Sequence, residues 1–438
     1  MLDKKLKIIS LGCTKNLVDS EVMLGKLSDY KLTDETDEAD VIIVNTCGFI
    51  DSAKQESLNT ILNLHEERKS ESVLVMAGCL SERYKEELQK ELKEVDIFTG
   101  VGDYDHIDEL VNAKRSQFSP RVFLANDEVQ RVVTNSNYHA YVKLSEGCNQ
   151  TCAFCAIPNF KGKLFSRTLD SVAKELRALI AKGFYDFSFV SQDSSSYLRD
   201  HDINDGLEQL IDLVENIDGV KSARILYLYP STTTTKLIQK IGNSKIFHSY
   251  FDMPLQHISQ NMLKIMKRGK GSEKLRELLD EMKKIPDAFI RSTFIVGHPG
   301  ESEADFDELC KFVENFEFDR ANVFSYSDEE GTSAFERDDK IEQKIIDKRA
   351  KTLGKIITKT TKKSMRTKVG KEIFVVVDGP SDEHEFLLSA KELLWAPEID
   401  GEIYINDKEI EREIEFGKIY RAKVTQFVGD KLLATVID

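Results

Sequence analysis

From residue 6 to about residue 115 the chain alternates continuous apolar runs with amphipathic stretches. Residues 7–12, 41–46 and 72–78 read as strands; 17–27, 52–68 and 82–92 follow them as helices. Residues 96–101 and 106–111 form a weaker fourth pair. Apolar strands between amphipathic helices predict a parallel sheet covered on both faces. Residues 116–140 carry turn chemistry, Ser119-Pro120 and Asn135-Ser136-Asn137, and read as a connector. A second series follows, with strands expected at 141–145, 187–191, 225–229, 250–254, 289–296 and 322–326. Helical patterns lie between them, near 171–181, 207–214, 234–241, 273–284 and 303–313. Six such units in about 190 residues predict a barrel or partial barrel of parallel strands. After Gly370 the pattern shortens to β segments at 372–377, 402–405, 418–426 and 432–437, with turns such as Asp378-Gly379-Pro380. That pattern predicts a small all-β barrel of about 68 residues.

At 438 residues the chain is long enough for several domains at roughly 150 residues each. Hydrophobic residues make up 41% and charged residues 31%, which excludes a mostly disordered or collagen-like chain. With 61 basic and 76 acidic side chains the net charge is −15, which argues against a general polyanion binder. No run approaches the roughly 18 apolar residues of a membrane span. Lys4, Lys5 and Lys7 precede an apolar stretch that ends at Cys13, a lipoprotein-like beginning. The stretch is shorter than an h-region of roughly 7–15 residues, so the reading is a first strand and a cytoplasmic protein. Residues 348–368 hold nine Lys or Arg and no acid, either a solvated helix face or a contact with another domain or partner.

The seven cysteines change the picture. An odd number in a long chain is a poor disulfide framework and points to metal, catalysis or burial. Cys13, Cys47 and Cys79 each follow the C-terminal end of an expected strand. In an open α/β sheet those ends share one edge, where ligands bind. Small or polar Asn16, Asn45 and Gly78 accompany them; the plainer reading is three buried thiols. Cys148, Cys152 and Cys155 have the spacing CxxxCxxC after the first strand of the second series. Zinc modules present cysteine pairs and a fourth ligand, and none follows closely here. Three thiolates can instead hold three irons of a 4Fe–4S cluster and leave one iron open.

On a βα barrel this motif resembles the radical S-adenosylmethionine (SAM) superfamily. The string from Ser145-Glu146-Gly147-Cys148-Asn149 through Ala156-Ile157-Pro158 resembles, more narrowly, the methylthiotransferases. The resemblance implies an α/β protein in three parts. They are an N-terminal parallel α/β domain with three cysteines (1–118, with a linker at 119–137), a partial βα, TIM-like radical SAM barrel (138–369) and a small C-terminal all-β TRAM barrel (370–438). It implies two 4Fe–4S clusters, one on Cys13, Cys47 and Cys79 and a SAM-binding one on Cys148, Cys152 and Cys155. SAM would serve both as methyl donor and as source of a 5′-deoxyadenosyl radical. Gln192 and Asp193 end a strand where the superfamily contacts the SAM amino group. Phe294-Ile295-Val296-Gly297 resembles its adenine-facing strand, with Gly297 permitting close approach and Arg291 on the same side. Each of these could equally be barrel structure, as could Gln256 and His257 at another strand end. Cys310, on an amphipathic helix, reads as a thiol without chemistry.

Ser191-Gln192-Asp193-Ser194, Tyr227-Leu228-Tyr229-Pro230, Asp252-Met253-Pro254-Leu255-Gln256-His257 and 326–332 resemble the ribosomal-protein branch of that family. The tRNA-adenosine branch, the alternative, typically has Gly-Gln-Asn at 191–193. The branch implies methylthiolation of the β-carbon of an aspartate in small-subunit ribosomal protein S-twelve, with a reducing electron donor. One departure is Lys161-Gly162-Lys163, where relatives usually carry Arg-Gly-Lys; the guanidinium fork is lost. Residues 371–438 hold 8 basic and 16 acidic residues, a net charge of −8. Such a barrel repels RNA and suits a basic ribosomal protein, so no direct nucleic-acid binding by TRAM and no membrane partner are expected. A metal-binding scaffold without catalysis is the remaining reading, and it predicts no SAM cleavage by reduced protein.

Overall fold

The computed structural model describes residues 4–438. In the first domain β1 (Lys5–Ser10), α1 (Thr14–Lys26), β2 (Lys31–Leu32), β3 (Val41–Thr46), α2 (Asp51–Glu67) and β4 (Val73–Gly78) follow one another. Then come α3 (Cys79–Arg83), α4 (Lys85–Glu91), β5 (Ile97–Phe98) and α5 (Ile107–Ala113). The strands form one parallel sheet in the order β2-β1-β3-β4-β5. β3 and β4 are buried along their whole length, as their unbroken apolar runs require. The short β2 is a strand the hydrophobic pattern did not reveal. The helix expected at 82–92 is two, broken at Tyr84, because the first already starts at Cys79 off the end of β4.

The connector is not loose. Arg131 lies between Glu21 of α1 and Glu175 and donates to the Tyr141 carbonyl at 2.6 Å. Gly25 admits the chain so closely that a Cβ there would lie 2.1 Å from the Gln130 carbonyl oxygen.

The second domain runs β6 (His139–Lys143), β7 (Ser145–Glu146), α6 (Ile157–Lys161), β8 (Phe165–Ser166), α7 (Leu169–Ala181), β9 (Asp186–Val190), α8 (Gly206–Glu215) and β10 (Ser222–Ile225). It continues through α9 (Thr235–Gly242), β11 (Tyr250–Asp252), α10 (Gln260–Ile265), α11 (Ser272–Lys283), β12 (Phe289–Val296), α12 (Glu303–Phe316), β13 (Arg320–Ser325) and α13 (Gln343–Arg366). Parallel sheets β6-β9-β10 and β11-β12-β13 are joined by the bridge of Ala223 to Phe247 and by Leu228 N–H, which donates to Asp252 O at 2.8 Å. The result is a partial barrel of six parallel strands around one apolar core. The strand expected at 225–229 is a correction: β10 ends at Ile225. The chain then bends at Tyr227, φ +63°, whose N–H donates to Asp252 Oδ2 at 3.0 Å. Leu226 and Leu228 are apolar because that loop is buried, not because it is extended in the sheet.

The basic helix α13 leaves most of its charges exposed, buries Arg349, and pairs basic residues with acids of neighbouring elements. Arg349 pairs with Glu301 and Glu303, Lys359 with Glu314, Lys363 with Glu317, and Lys368 just beyond it with Glu392. The third domain is a closed barrel of β14 (Glu372–Pro380), β15 (Leu388–Glu392), β16 (Ile403–Lys408), β17 (Ile419–Val428) and β18 (Lys431–Val436), in the order β14-β15-β16-β18-β17. β15 was not legible in the sequence, yet closure requires it. This barrel caps the strand-start end of the second domain. Tyr141, Tyr185 and Tyr250 donate to Pro397 O, Gly417 O and Asp400 Oδ2 at 2.6, 2.8 and 2.8 Å. One apolar cluster runs from the first domain through the barrel interior to Trp395 of the third, so the three parts share a core.

Candidate functional site

Cys13, Cys47 and Cys79 leave the C-terminal ends of the adjacent strands β1, β3 and β4, and the sheet order alone makes them neighbours. Cys13 N-caps α1; Cys79 opens α3. Gly12, at φ +88°, has no room for a side chain: a Cβ would lie 2.7 Å from Cys47 Cβ and 2.8 Å from its Sγ. Ser57 Oγ accepts from Cys47 N–H at 3.1 Å and donates to Cys47 O at 3.2 Å, clamping that loop. Asn16 Nδ2 donates to Leu11 O and Thr46 O, and Asn45 Nδ2 donates to Asn16 O. Those amides tie the strand-end loops together.

Cys148, Cys152 and Cys155 lie on a loop fixed from several sides. Cys148 N–H donates to Gly162 O at 3.1 Å, Ala153 N–H to Met266 O at 2.9 Å, and Ala334 N–H to Ala153 O at 2.8 Å. Gly147, φ +74°, lies so near that a Cβ would be 2.1 Å from Lys163 O. Arg268 donates to Cys152 Sγ at 3.3 Å and to Pro254 O, and its guanidinium lies 4.1 Å from the centre of the Tyr229 ring.

Both trios line one cavity of about 530 Å³, between the sheet edge of the first domain and the open top of the barrel. Two buried ion clusters hold the domains together there. Lys143 Nζ donates to Asp19 of α1 and to Glu146, both at 2.5 Å, and Lys161 approaches the same acids at 3.7 and 3.4 Å. On the other side Glu329 accepts from Lys54 at 3.0 Å and from Arg83 at 2.6 Å. Burial opposes the charge on Glu146, but Lys143 and Lys161 outweigh it and hold the carboxyl below its usual range.

Burial pushes the Cys47 thiol up to about 11 and the Cys148 and Cys155 thiols up to about 12; Cys79 moves further in the same direction. Free thiols here stay protonated, and a cationic iron–sulfur core is the partner that makes buried thiolates affordable. Among the described residues no three Cys, His, Asp or Glu side chains converge closely enough for a single ion. Three thiolates per trio are the donor number that a 4Fe–4S cluster with one open iron takes.

The remaining expected residues divide. Gln192 lines the cavity and donates to Glu146 Oε2 at 2.6 Å. Arg291 lines it too, between Asp252 at 3.1 Å and Asp400 of the third domain at 3.6 Å. Asp193 is buried behind the wall, where it accepts from Gln150 of the cysteine loop at 2.8 Å and from Ser195 and Ser196. Gly297, φ +82°, is not on the wall; its missing Cβ makes way for Ile346 of α13 at 2.5 Å. Gln256 lines the cavity, whereas His257 is fully buried against Glu301 at 3.2 Å. Cys310 packs at the edge of the barrel core. The sequence reading missed Lys15, Tyr227, Tyr229, Arg268 and Ile399 of the third domain, all on the wall. Lys15 stands two residues after Cys13, a placement that marks it, and Tyr227 and Tyr229 lie in the Tyr227-Leu228-Tyr229-Pro230 string; Arg268 and Ile399 carry no local signal. Burial acts against the charge of Lys15, but Tyr227, Cys13 and Glu146 outweigh it and raise its ammonium above the usual range.

Residues 5–100 match an uncharacterized family, UPF0004; residues 142–313 match the radical SAM superfamily and 369–437 the TRAM domain. The protein from Aliarcobacter butzleri called ribosomal protein uS12 methylthiotransferase RimO is 70% identical over 99% of this chain and 98% of its own. Its namesake from Sulfurimonas denitrificans is 64% identical over 99% of both. The radical SAM methyltransferase TsrM from Kitasatospora setae, solved with cobalamin and a 4Fe–4S cluster, is similar at a TM-score of 0.53 and 12% identity. That likeness covers 74% of this chain and 72% of the other and concerns the fold alone.

Proposed function

The chain belongs to the family of ribosomal protein uS12 methylthiotransferases, and on that premise we propose that it is a radical SAM enzyme that adds a methylthio group to the β-carbon of an aspartate of uS12. The observation that carries the reading is the single cavity onto which both thiol trios open. Cys148, Cys152 and Cys155 would hold one 4Fe–4S cluster and Cys13, Cys47 and Cys79 the other. When bound, these groups supply the electron that cleaves SAM to methionine and a 5′-deoxyadenosyl radical, and the sulfur that the substrate carbon captures.

The chain's own residues position and enclose. Gln192 and Arg291 are the expected polar residues open to SAM, each braced by a carboxylate. Asp193 works one step back, through Gln150 on the cluster loop. Gly297 lets α13 close over the barrel. Arg268 balances thiolate charge at Cys152. The third domain, at −8, attracts a basic ribosomal protein and repels RNA, which favours uS12 over a tRNA adenosine. Work on a ribosomal protein, fed by a reducing electron donor, puts the chain in the cytoplasm; among the described residues no helix is long and apolar enough to cross a membrane.

The test is anaerobic reconstitution, then reaction with SAM and reductant beside either uS12 or tRNA, read by mass spectrometry. About eight irons per chain, two four-iron clusters, and one methylthio group on uS12 are expected. About four irons, or modification of tRNA only, would overturn the reading.

A further inference from the structure

Four cations of the protein line the cavity: Lys15, Lys161, Arg268 and Arg291. Three are already engaged. Lys161 faces Glu146 and Asp19, Arg291 faces Asp252 and Asp400, and Arg268 is spent on Cys152 Sγ and Pro254 O. Lys15 differs. Among the described residues it makes no ion pair, and its ammonium rests 3.6 Å from the centre of the Tyr227 ring. An ammonium has three N–H donors and a ring face engages only part of them, so the arrangement leaves donors open to an anion in the cavity.

The surroundings share that demand. Lys15 is in the first turn of α1, which has no acidic residue there and no side-chain cap on its free N–H groups. Thr14 Oγ1 on the same turn is buried without a hydrogen-bond partner among the described residues. Tyr227 belongs to the barrel and is held at φ +63°, a conformation rare for a tyrosine, by its N–H bond to Asp252. The ammonium thus bridges the two domains on the wall of the cavity that both cysteine trios line, the space in which a reacting carbon has to lie.

We propose that Lys15, with Thr14 and the start of α1, is the receptor for the side-chain carboxylate of the aspartate that is modified. This rests on the function proposed above. The carboxylate is bonded directly to the β-carbon and is untouched by the reaction, so anchoring it fixes the reacting atom. A tRNA base has no such group, and an asparagine or a neutral side chain lacks the charge; the subsite selects for an acid. The other carboxylate available in the cavity is that of SAM, and the experiment separates the two.

Reconstituted wild-type chain first locates the modified aspartate by mass spectrometry; no methylthio gain on uS12 at this stage overturns the functional reading itself. Affinities are then measured without reductant, with SAM present, for uS12 carrying Asp or Asn at that position. Wild type is expected to prefer Asp by about tenfold or more, the scale of one charge-assisted contact. In Lys15→Met that preference collapses towards unity, and in Lys15→Arg it is largely kept. Iron content and SAM affinity stay at wild-type values in both variants. An Asp preference that survives in Lys15→Met overturns the proposal. So does a loss of SAM affinity with the Asp preference intact, which assigns Lys15 to the SAM carboxylate instead.

Discussion

Gly12→Ala tests the geometry of the first trio at one atom. The residue sits at φ +88°, where an L-residue costs roughly 1–2 kcal/mol. Its new methyl would lie 2.7 Å from Cys47 Cβ and 2.8 Å from Cys47 Sγ, against a comfortable carbon contact of roughly 3.5–4.0 Å. The Cys47 backbone cannot yield, because Ser57 clamps both its N–H and its carbonyl and β3 is paired on both sides. Rotating the thiol off its rotamer relieves the Sγ contact at roughly 0.5–1.5 kcal/mol, and the Cβ contact, which χ1 does not move, is left to distort the Gly12 loop. Together these cost about 1.5–3.5 kcal/mol, which, borne by the geometry that holds the cluster, weakens its binding by about 10- to 300-fold at one decade per 1.4 kcal/mol. The assay is iron and sulfide content after anaerobic reconstitution, with 5′-deoxyadenosine and methylthiolated uS12 measured in parallel. Iron is expected to fall from about eight to about four per chain; SAM cleavage survives and transfer is lost. Gly147→Ala, whose Cβ would meet Lys163 O at 2.1 Å, should spare the first trio and abolish SAM cleavage. Full iron and normal transfer in Gly12→Ala would refute the reasoning, as would the loss of both clusters together.

Further outcomes follow from the same contacts. Glu329→Gln leaves Lys54 and Arg83 facing a neutral amide at a site where Glu329 is 1% exposed. Breaking a buried pair of this kind costs about 3 kcal/mol, so methylthio product per SAM cleaved should drop while iron content holds; an unchanged ratio and melting temperature would show that this ion cluster does not hold the domains together. Arg268→Lys keeps a charge but loses the fork that reaches Cys152 Sγ and Pro254 O together. A lower reduction potential of the SAM-binding cluster is expected by voltammetry or redox-poised EPR, and an unmoved potential would remove Arg268 from that role. His248 is pushed down to about 3 by burial and by Arg224. A folded value below the unfolded one means its contribution is full above about pH 6.5 and is lost as pH falls from there towards 3. At pH 5 about 2 kcal/mol is gone, so urea midpoints at pH 7.5 and 5 should differ more in wild type than in His248→Gln; equal differences would show that the ring does not carry the effect.

The positions of the six site cysteines were legible because two rules are local. Apolar runs separated by amphipathic stretches mark parallel strands, and ligands gather at their C-terminal ends. Cys13, Cys47, Cys79 and the CxxxCxxC loop all follow from that. Elements failed where burial imitated periodicity. The apolar run 225–229 continues past the end of β10 because its loop is buried, and β15 shows as a strand only once closure of the third barrel demands it. Gly297 carries a real backbone constraint, and the side chain that its missing Cβ makes room for is Ile346, 49 residues on.

The amino-acid sequence by itself determined the order of the three domains, the strand ends and the thiols on them, since propensity, periodicity and spacing are carried by neighbouring residues. Only the tertiary structure decided what faces what. That Asp19 meets Lys143, that Glu329 gathers Lys54 and Arg83, and that Lys15, among the described cations of the cavity, rests over Tyr227 without an ion pair depend on contacts 124 to 275 residues apart. Which of many like-charged side chains meet is settled by how the shared apolar core docks the domains, and no local pattern encodes that docking.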